Sequence, residues 1–126
     1  MIFELYSRLK GIALEFSDIV TNAEILFSYT GRAQKLRITL IDTTFVDVWR
    51  SVDSNEYSYH WEMRPIRNEI YRHDNAPHKR WEYVSTFPKH CHDGSQDNVV
   101  ESHISDSPDE GLRQFLNIVR ERLRRR

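Results

Sequence analysis

Apolar residues at Leu5, Leu9 and Ile12 recur at helical spacing and predict a helix over residues 3–14, which Gly11 weakens and shortens. From Phe16 onward the period shifts towards two. Residues 23–29 and 36–41 are rich in β-branched and aromatic side chains, and the turn signal Thr30-Gly31-Arg32 separates them. Residues 45–49 alternate around Asp47, and residues 57–63 follow the polar turn Asp53-Ser54-Asn55-Glu56. In that last strand Tyr57, Tyr59, Trp61 and Met63 share one face, while Ser58, His60 and Glu62 share the other. Residues 69–73 form a further short strand after the break at Pro65. Strands joined by such short turns predict an antiparallel meander.

Residues 74–107 read differently. They hold Ala76-Pro77, Phe87-Pro88, Asp93-Gly94 and Ser107-Pro108 with few apolar positions, which predicts irregular chain and one short strand at 98–102. A stretch of that length without regular structure points to function or disorder. Ser107-Pro108-Asp109-Glu110 then reads as a capping box with proline at the first helical position. Leu112, Phe115, Leu116, Val119 and Leu123 follow at helical spacing, so a helix is predicted over 108–123. The expected fold is α+β, in one domain spanning residues 1–126. It is an antiparallel meander of about five to six strands with an N-terminal helix and a C-terminal helix packed on the sheet.

Charge refines this picture. The net charge is −1, yet residues 64–126 carry twelve Lys/Arg against ten Asp/Glu, while residues 1–63 carry six against nine. Basic islands lie at 64–92 and 112–126. Local clusters rather than net charge act on a polyanion within a Debye length of about 10 Å, so an RNA partner is permitted. The C-terminal arginines read either as a solvated helix end or as a tail that contacts RNA or a partner. No apolar run reaches the roughly 20 residues of a membrane span, and the start lacks the pattern of a secretory signal. A single cysteine, Cys91, rules out an internal disulfide. Cytoplasmic residence without a membrane partner is expected.

The candidate chemistry gathers where the pattern breaks down. Five of the six histidines fall within or at the edge of the irregular stretch. Imidazole both gives and takes a proton near neutral pH, and arginine and lysine hold phosphate. Metal-independent RNA cleavage needs that mixture: a base for the 2′-hydroxyl, an acid for the departing 5′-oxygen and a cation for the charge between them. His78, His90 and His92 are the acid–base candidates, with Asp74 orienting one ring. Arg72, Lys79, Lys89, His60 and His73 are candidates for holding RNA or phosphate. No metal or cofactor is required by this reading. Other readings stay open: solvated surface histidines, a non-enzymatic module binding a partner or nucleic acid, or a metal-dependent nuclease. In the last, His90 and His92 supply two ligands and Asp74, Cys91 or His78 a third. For His60, on the strand face shared with Ser58 and Glu62, a hydrogen-bonded structural role is equally open. Cys91 has no oriented base beside it in sequence and reads as a bystander.

Three segments carry a family resemblance. Tyr57-Ser58-Tyr59-His60-Trp61, then Tyr71-Arg72-His73-Asp74-Asn75-Ala76-Pro77-His78, then Thr86-Phe87-Pro88-Lys89-His90-Cys91-His92 resemble the motifs of the TumE-like family. Its members are small proteins described as toxins of type II toxin–antitoxin pairs. The resemblance extends over about residues 14–123, with Asp74-Asn75-Ala76-Pro77-His78 its most specific piece. It implies a small helix-turn-helix antitoxin as partner, growth inhibition, and RNA as the target; homo- or hetero-oligomeric assembly is left open. Two positions depart from the pattern. Lys79 stands where the family often has a second histidine, and Cys91 stands where a lysine commonly sits.

Overall fold

The computed structural model describes all residues from 1 to 126 and opens with a helix, α1 (Ile2–Leu14). Gly11 does not shorten it. Burial of Tyr6, Leu9, Ile12 and Ala13 against the sheet outweighs a cost of about 1 kcal/mol for one exposed helical glycine.

Seven strands follow: β1 (Val20–Phe27), β2 (Ala33–Leu40), β3 (Phe45–Arg50), β4 (Tyr57–Glu62), β5 (Ile70–Asp74), β6 (His90–Gly94) and β7 (Val99–Glu101). Each pairs antiparallel with the next in chain order. The α+β meander is therefore as expected, with slightly more strands. A one-turn helix, α2 (Arg64–Arg67), fills the β4–β5 connection and carries Pro65 in its first turn. The last helix, α3 (Pro108–Arg124), completes the fold.

Both long helices cover one face of the sheet. Leu36, Ile38, Val46, Val48, Tyr59 and Trp61 meet Leu9, Phe115, Leu116 and Val119 in one continuous core. Phe115 stacks on Tyr59 and Tyr71 with ring centroids 5.4 and 5.6 Å apart. In α3, Gly111 leaves room for this approach. A Cβ there would fall 2.6 Å from the Ser105 carbonyl oxygen and 2.8 Å from the Tyr59 hydroxyl.

Two expectations for the second half are corrected. The stretch 74–107 holds the short strand expected at 98–102, as β7, but also a second strand, β6, that was not expected. Beta-6 escapes pattern reading since its sequence, HCHDG, holds no aliphatic residue and its first three positions are all buried. Ser107 is the N-cap of α3 but makes no side-chain cap bond. The box is dismantled by other partners: Glu110 accepts from Gln114, and Asp109 accepts from Arg8 at 2.8 Å.

The C-terminal arginines are paired within the molecule. Arg120 and Arg124 reach Asp18, Arg122 reaches Asp93 at 3.0 Å, Arg125 reaches Glu121 and Arg126 reaches Glu69. They knit α3 to the sheet and to the segment after α1 rather than forming a free basic tail.

Candidate functional site

The second face of the sheet is covered by neither long helix, and strand parity decides what it displays. On β4 it shows Ser58, His60 and Glu62, as the alternation predicts. Arg72 and Asp74 take the same face on β5, and His90 and His92 on β6. Register then sets two rows across the strands. His60, Arg72 and His92 stand side by side in one, and Ser58, Asp74 and His90 in the other. Cross-strand neighbours on one face have Cβ atoms about 5 Å apart, so these side chains must interact.

Residues 75–89 fold over the β6 end of this face. Trp81 and Val84 form a small second core with Val99, supported by Phe87. The Trp81 indole meets the His92 ring edge-on at 5.6 Å and lies 6.1 Å from His90. The result is a pocket of about 230 Å³ lined by His60, Arg72, Asp74, His78, His90 and His92 among others. That is below the roughly 300–1,000 Å³ of pockets that take drug-sized ligands, so it suits a group the size of phosphate.

Asp74 is the hub. Its Oδ1 accepts from the Ala76 amide at 3.0 Å and faces His90 Nε2 at 3.2 Å, and its Oδ2 accepts from Arg72 Nε at 2.8 Å. Burial by itself would raise this carboxyl, but the bonds from His90, Arg72 and Ala76 override it and hold the group well below the usual range. It is an anion in the folded protein.

The pKa values of the two histidines of β6 shift in opposite directions. His90 Nδ1 donates to the Pro88 carbonyl at 2.9 Å, and His92 Nδ1 donates to the Gln96 carbonyl at 2.8 Å. Carbonyls only accept, so each Nδ1 carries a hydrogen. The state of Nε2 then decides the charge. Burial opposes a charged His90, but Asp74 and the Pro88 carbonyl outweigh it and raise its pKa above 6.5. For His92 burial prevails, helped by the positive neighbours His90 and Arg72, and its pKa falls. Its Nε2 stands 3.7 Å from Asp74 Oδ2, beyond hydrogen-bond range, and keeps its lone pair. The rings are 4.9 Å apart. One is poised to give a proton and the other to take one.

His60 lies between Arg72 and Glu62, with Nδ1 3.3 Å from Arg72 Nη1 and Nε2 3.3 Å from Glu62 Oε1. Burial lowers its pKa, Glu62 opposing. His78 and Lys79 are exposed; His78 contributes to the pocket lining from the start of the covering segment.

Two expected phosphate contacts lie elsewhere. His73 has the opposite strand parity, so it faces α3, bonds Ser102 Oγ and Tyr71 OH, and packs edge-on against Phe115. Lys89 turns towards the loop before α3, where Nζ bonds the Ile104 carbonyl and lies 3.4 Å from Asp106. Cys91 also faces the core, where burial pushes its thiol up to about 12. Trp81 and the carbonyls of Pro88 and Gln96 are site components that the histidine pattern misses. A lone tryptophan in a run otherwise polar was the available signal for the first.

As possible metal ligands, Asp74, His90 and His92 offer atoms within 4.8 Å of one another. No helix is long and apolar enough to cross a membrane. In comparison with known proteins, the family model described as toxin TumE matches residues 9–123. No curated protein and no solved structure matches the chain.

Proposed function

The chain belongs to the TumE family of toxins, the toxin half of a toxin–antitoxin pair, and we propose that it is a small ribonuclease needing no metal. In this reading it arrests growth in the cytoplasm by cleaving RNA, and a small helix-turn-helix antitoxin neutralises it. The supporting observation is the unequal setting of His90 and His92 within one pocket: Asp74 lies 3.2 Å from His90 Nε2 and 3.7 Å from His92 Nε2, which favours the charged ring in His90 and the neutral ring in His92. Neighbouring groups whose pKa values are driven apart supply an acid and a base at a single pH.

His92 Nε2 takes the proton of an RNA 2′-hydroxyl, whose oxygen then attacks the adjacent phosphorus. His90 gives its Nε2 proton to the departing 5′-oxygen. The products are a 2′,3′-cyclic phosphate and a 5′-hydroxyl, with no net consumption of water. Arg72 brings a permanent cation to the pocket and holds the phosphate oxygens as charge builds on them. Asp74 orients His90 and Arg72, and His60 steadies the guanidinium from the neighbouring strand. His78 and Lys79, exposed where the covering segment begins, contact the flanking RNA.

The test is incubation of the purified chain with RNA in excess chelator, with end-group analysis of the products. Cyclic phosphate ends are expected. Intact RNA, together with undiminished growth arrest by the His90→Ala/His92→Ala variant in cells, would overturn the reading.

A metal-dependent nuclease is the second reading, favoured by the convergence of Asp74, His90 and His92. Anchoring of both Nδ1 atoms on carbonyls is also how metal-ligating histidines are held. Against it, Arg72 and the Ala76 amide already occupy the carboxylate. Cleavage abolished by chelator and restored by added manganese or zinc would favour it over the first.

A further inference from the structure

The catalytic pocket has room for phosphate but not for bases, so an RNA substrate must lay its bases on another part of the protein. The rows of side chains that build the pocket continue beyond it. His60 pairs with Asp47 on β3, and Asp47 pairs with Arg37 on β2, so one row runs Arg37, Asp47, His60, Arg72, His92 across five strands. In the other row Trp49 stands opposite Ser58 and so continues the line through Asp74 to His90. A groove of about 480 Å³ follows these rows and shares His60 and Arg72 with the pocket.

Its floor has the features of a single-strand platform. Trp49 is 41% exposed although it lies in mid-sheet, and no helix covers it. At the other end of β3, beyond Asp47 on the same face, Phe45 is roofed by the Arg37 guanidinium, 4.0 Å from the ring centroid. Lys35 and Arg37 share the Asp47 carboxylate at 3.0 and 2.8 Å, with Glu24 opposite Arg37 on β1, and both cations stay about one-third exposed, where a phosphate can reach them. Glu62, the other acid of the groove, is answered by Arg64. Three strand spacings of about 4.8 Å separate Trp49 from His90, roughly 14 Å, a reach that suits a short run of nucleotides.

We propose that this open sheet face binds single-stranded RNA beside the pocket, with a base stacked on Trp49 and backbone phosphates held by Lys35 and Arg37. The proposal rests on the RNA reading given above and names its substrate as single-stranded. Stacking on aromatic side chains accepts any base, because every base has a π-face, so little sequence preference follows from Trp49 itself. A duplex cannot use it, because its bases are already stacked on one another.

The experiment measures fluorescence anisotropy of a labelled eight-nucleotide uridine RNA with the His92→Ala protein, which holds substrate without cleaving it. Binding that weakens with salt is expected, and weakening of at least tenfold when the same RNA is annealed to its complement. Trp49→Ala in this background should weaken binding about tenfold, and Trp49→Phe should restore most of it. Circular dichroism melts confirm that each variant folds, which exposure of Trp49 favours. Equal binding by Trp49→Ala or equal binding of the duplex would overturn the proposal. Failure of the catalytic reading looks different: the native chain would bind the single strand in a Trp49-dependent way and leave it uncut.

Discussion

His90 and Asp74 face each other from neighbouring strands, with Nε2 3.2 Å from Oδ1, while the other nitrogen of the ring is committed to the Pro88 carbonyl. The carboxylate beside Nε2 and the carbonyl at Nδ1 both favour the charged ring, against the cost of its burial. His90 is raised, so its contribution to stability is full below about 6.5 and fades as pH climbs through the folded value. Asp74 is lowered, so its contribution is full above about 3.8 and fades as pH falls through the folded value.

RNA cleavage should follow a bell in pH. The acid limb lies below 6.5, where His92 gains a proton, and the alkaline limb lies above 6.5, where His90 loses one. Asp74→Asn removes the charge that raises His90, so the alkaline limb should move to lower pH. Initial rates across pH 4–9 for both proteins check this; an unmoved limb would remove Asp74 from its role.

Loss of either ring should lower the cleavage rate about 10²–10⁴-fold. His90→Ala/His92→Ala should be little worse than either single variant, because acid and base act as a unit. His73→Gln should keep near-parental activity, since that ring lies on the opposite face of the sheet.

Asp74→Ala should cost about 3 kcal/mol of stability, measured by urea unfolding at pH 7. The substitution strands the buried His90 and leaves the half-buried Arg72 without its carboxylate. Asp74→Asn should cost less, because the amide oxygen still accepts from the Ala76 amide.

Acid should destabilise the fold through His73. Burial, helped by the positive charge of Arg122, lowers its pKa from 6.5 to about 4, so between those values the unfolded chain binds a proton that the folded chain refuses. Stability then drops as pH falls through this window, by about 3 kcal/mol over its whole width. His73→Gln should flatten that part of the urea midpoint against pH.

Gly111→Ala should destabilise by about 1–3 kcal/mol despite alanine's better helix propensity. The new methyl meets a backbone carbonyl and the Tyr59 hydroxyl, neither of which can retreat from the core. A thermal melt of the variant measures the loss.

Much of the fold is legible in the chain because periodicity is local. Leu112, Phe115, Leu116 and Val119 spell out one face of α3, and the alternation from Tyr57 to Met63 reveals which face His60 takes. Beta-6 is illegible for the same reason in reverse. Both its faces are covered, one by the core at Cys91 and one by Trp81, and its own side chains are polar enough to hide this.

The sequence by itself determined the inventory: an α+β meander between two helices, and a histidine-rich segment supplying acid–base groups beside arginine and aspartate. Tertiary structure decided which of them meet. Parity of one residue sends His73 to the core and Asp74 to the open face, and only the register of β5 against β6 sets His90 opposite Asp74 and His92 opposite Arg72. Protonation was likewise beyond composition. Two histidines two residues apart differ because one reaches a carboxylate and the other does not, and that depends on distances made by strand pairing.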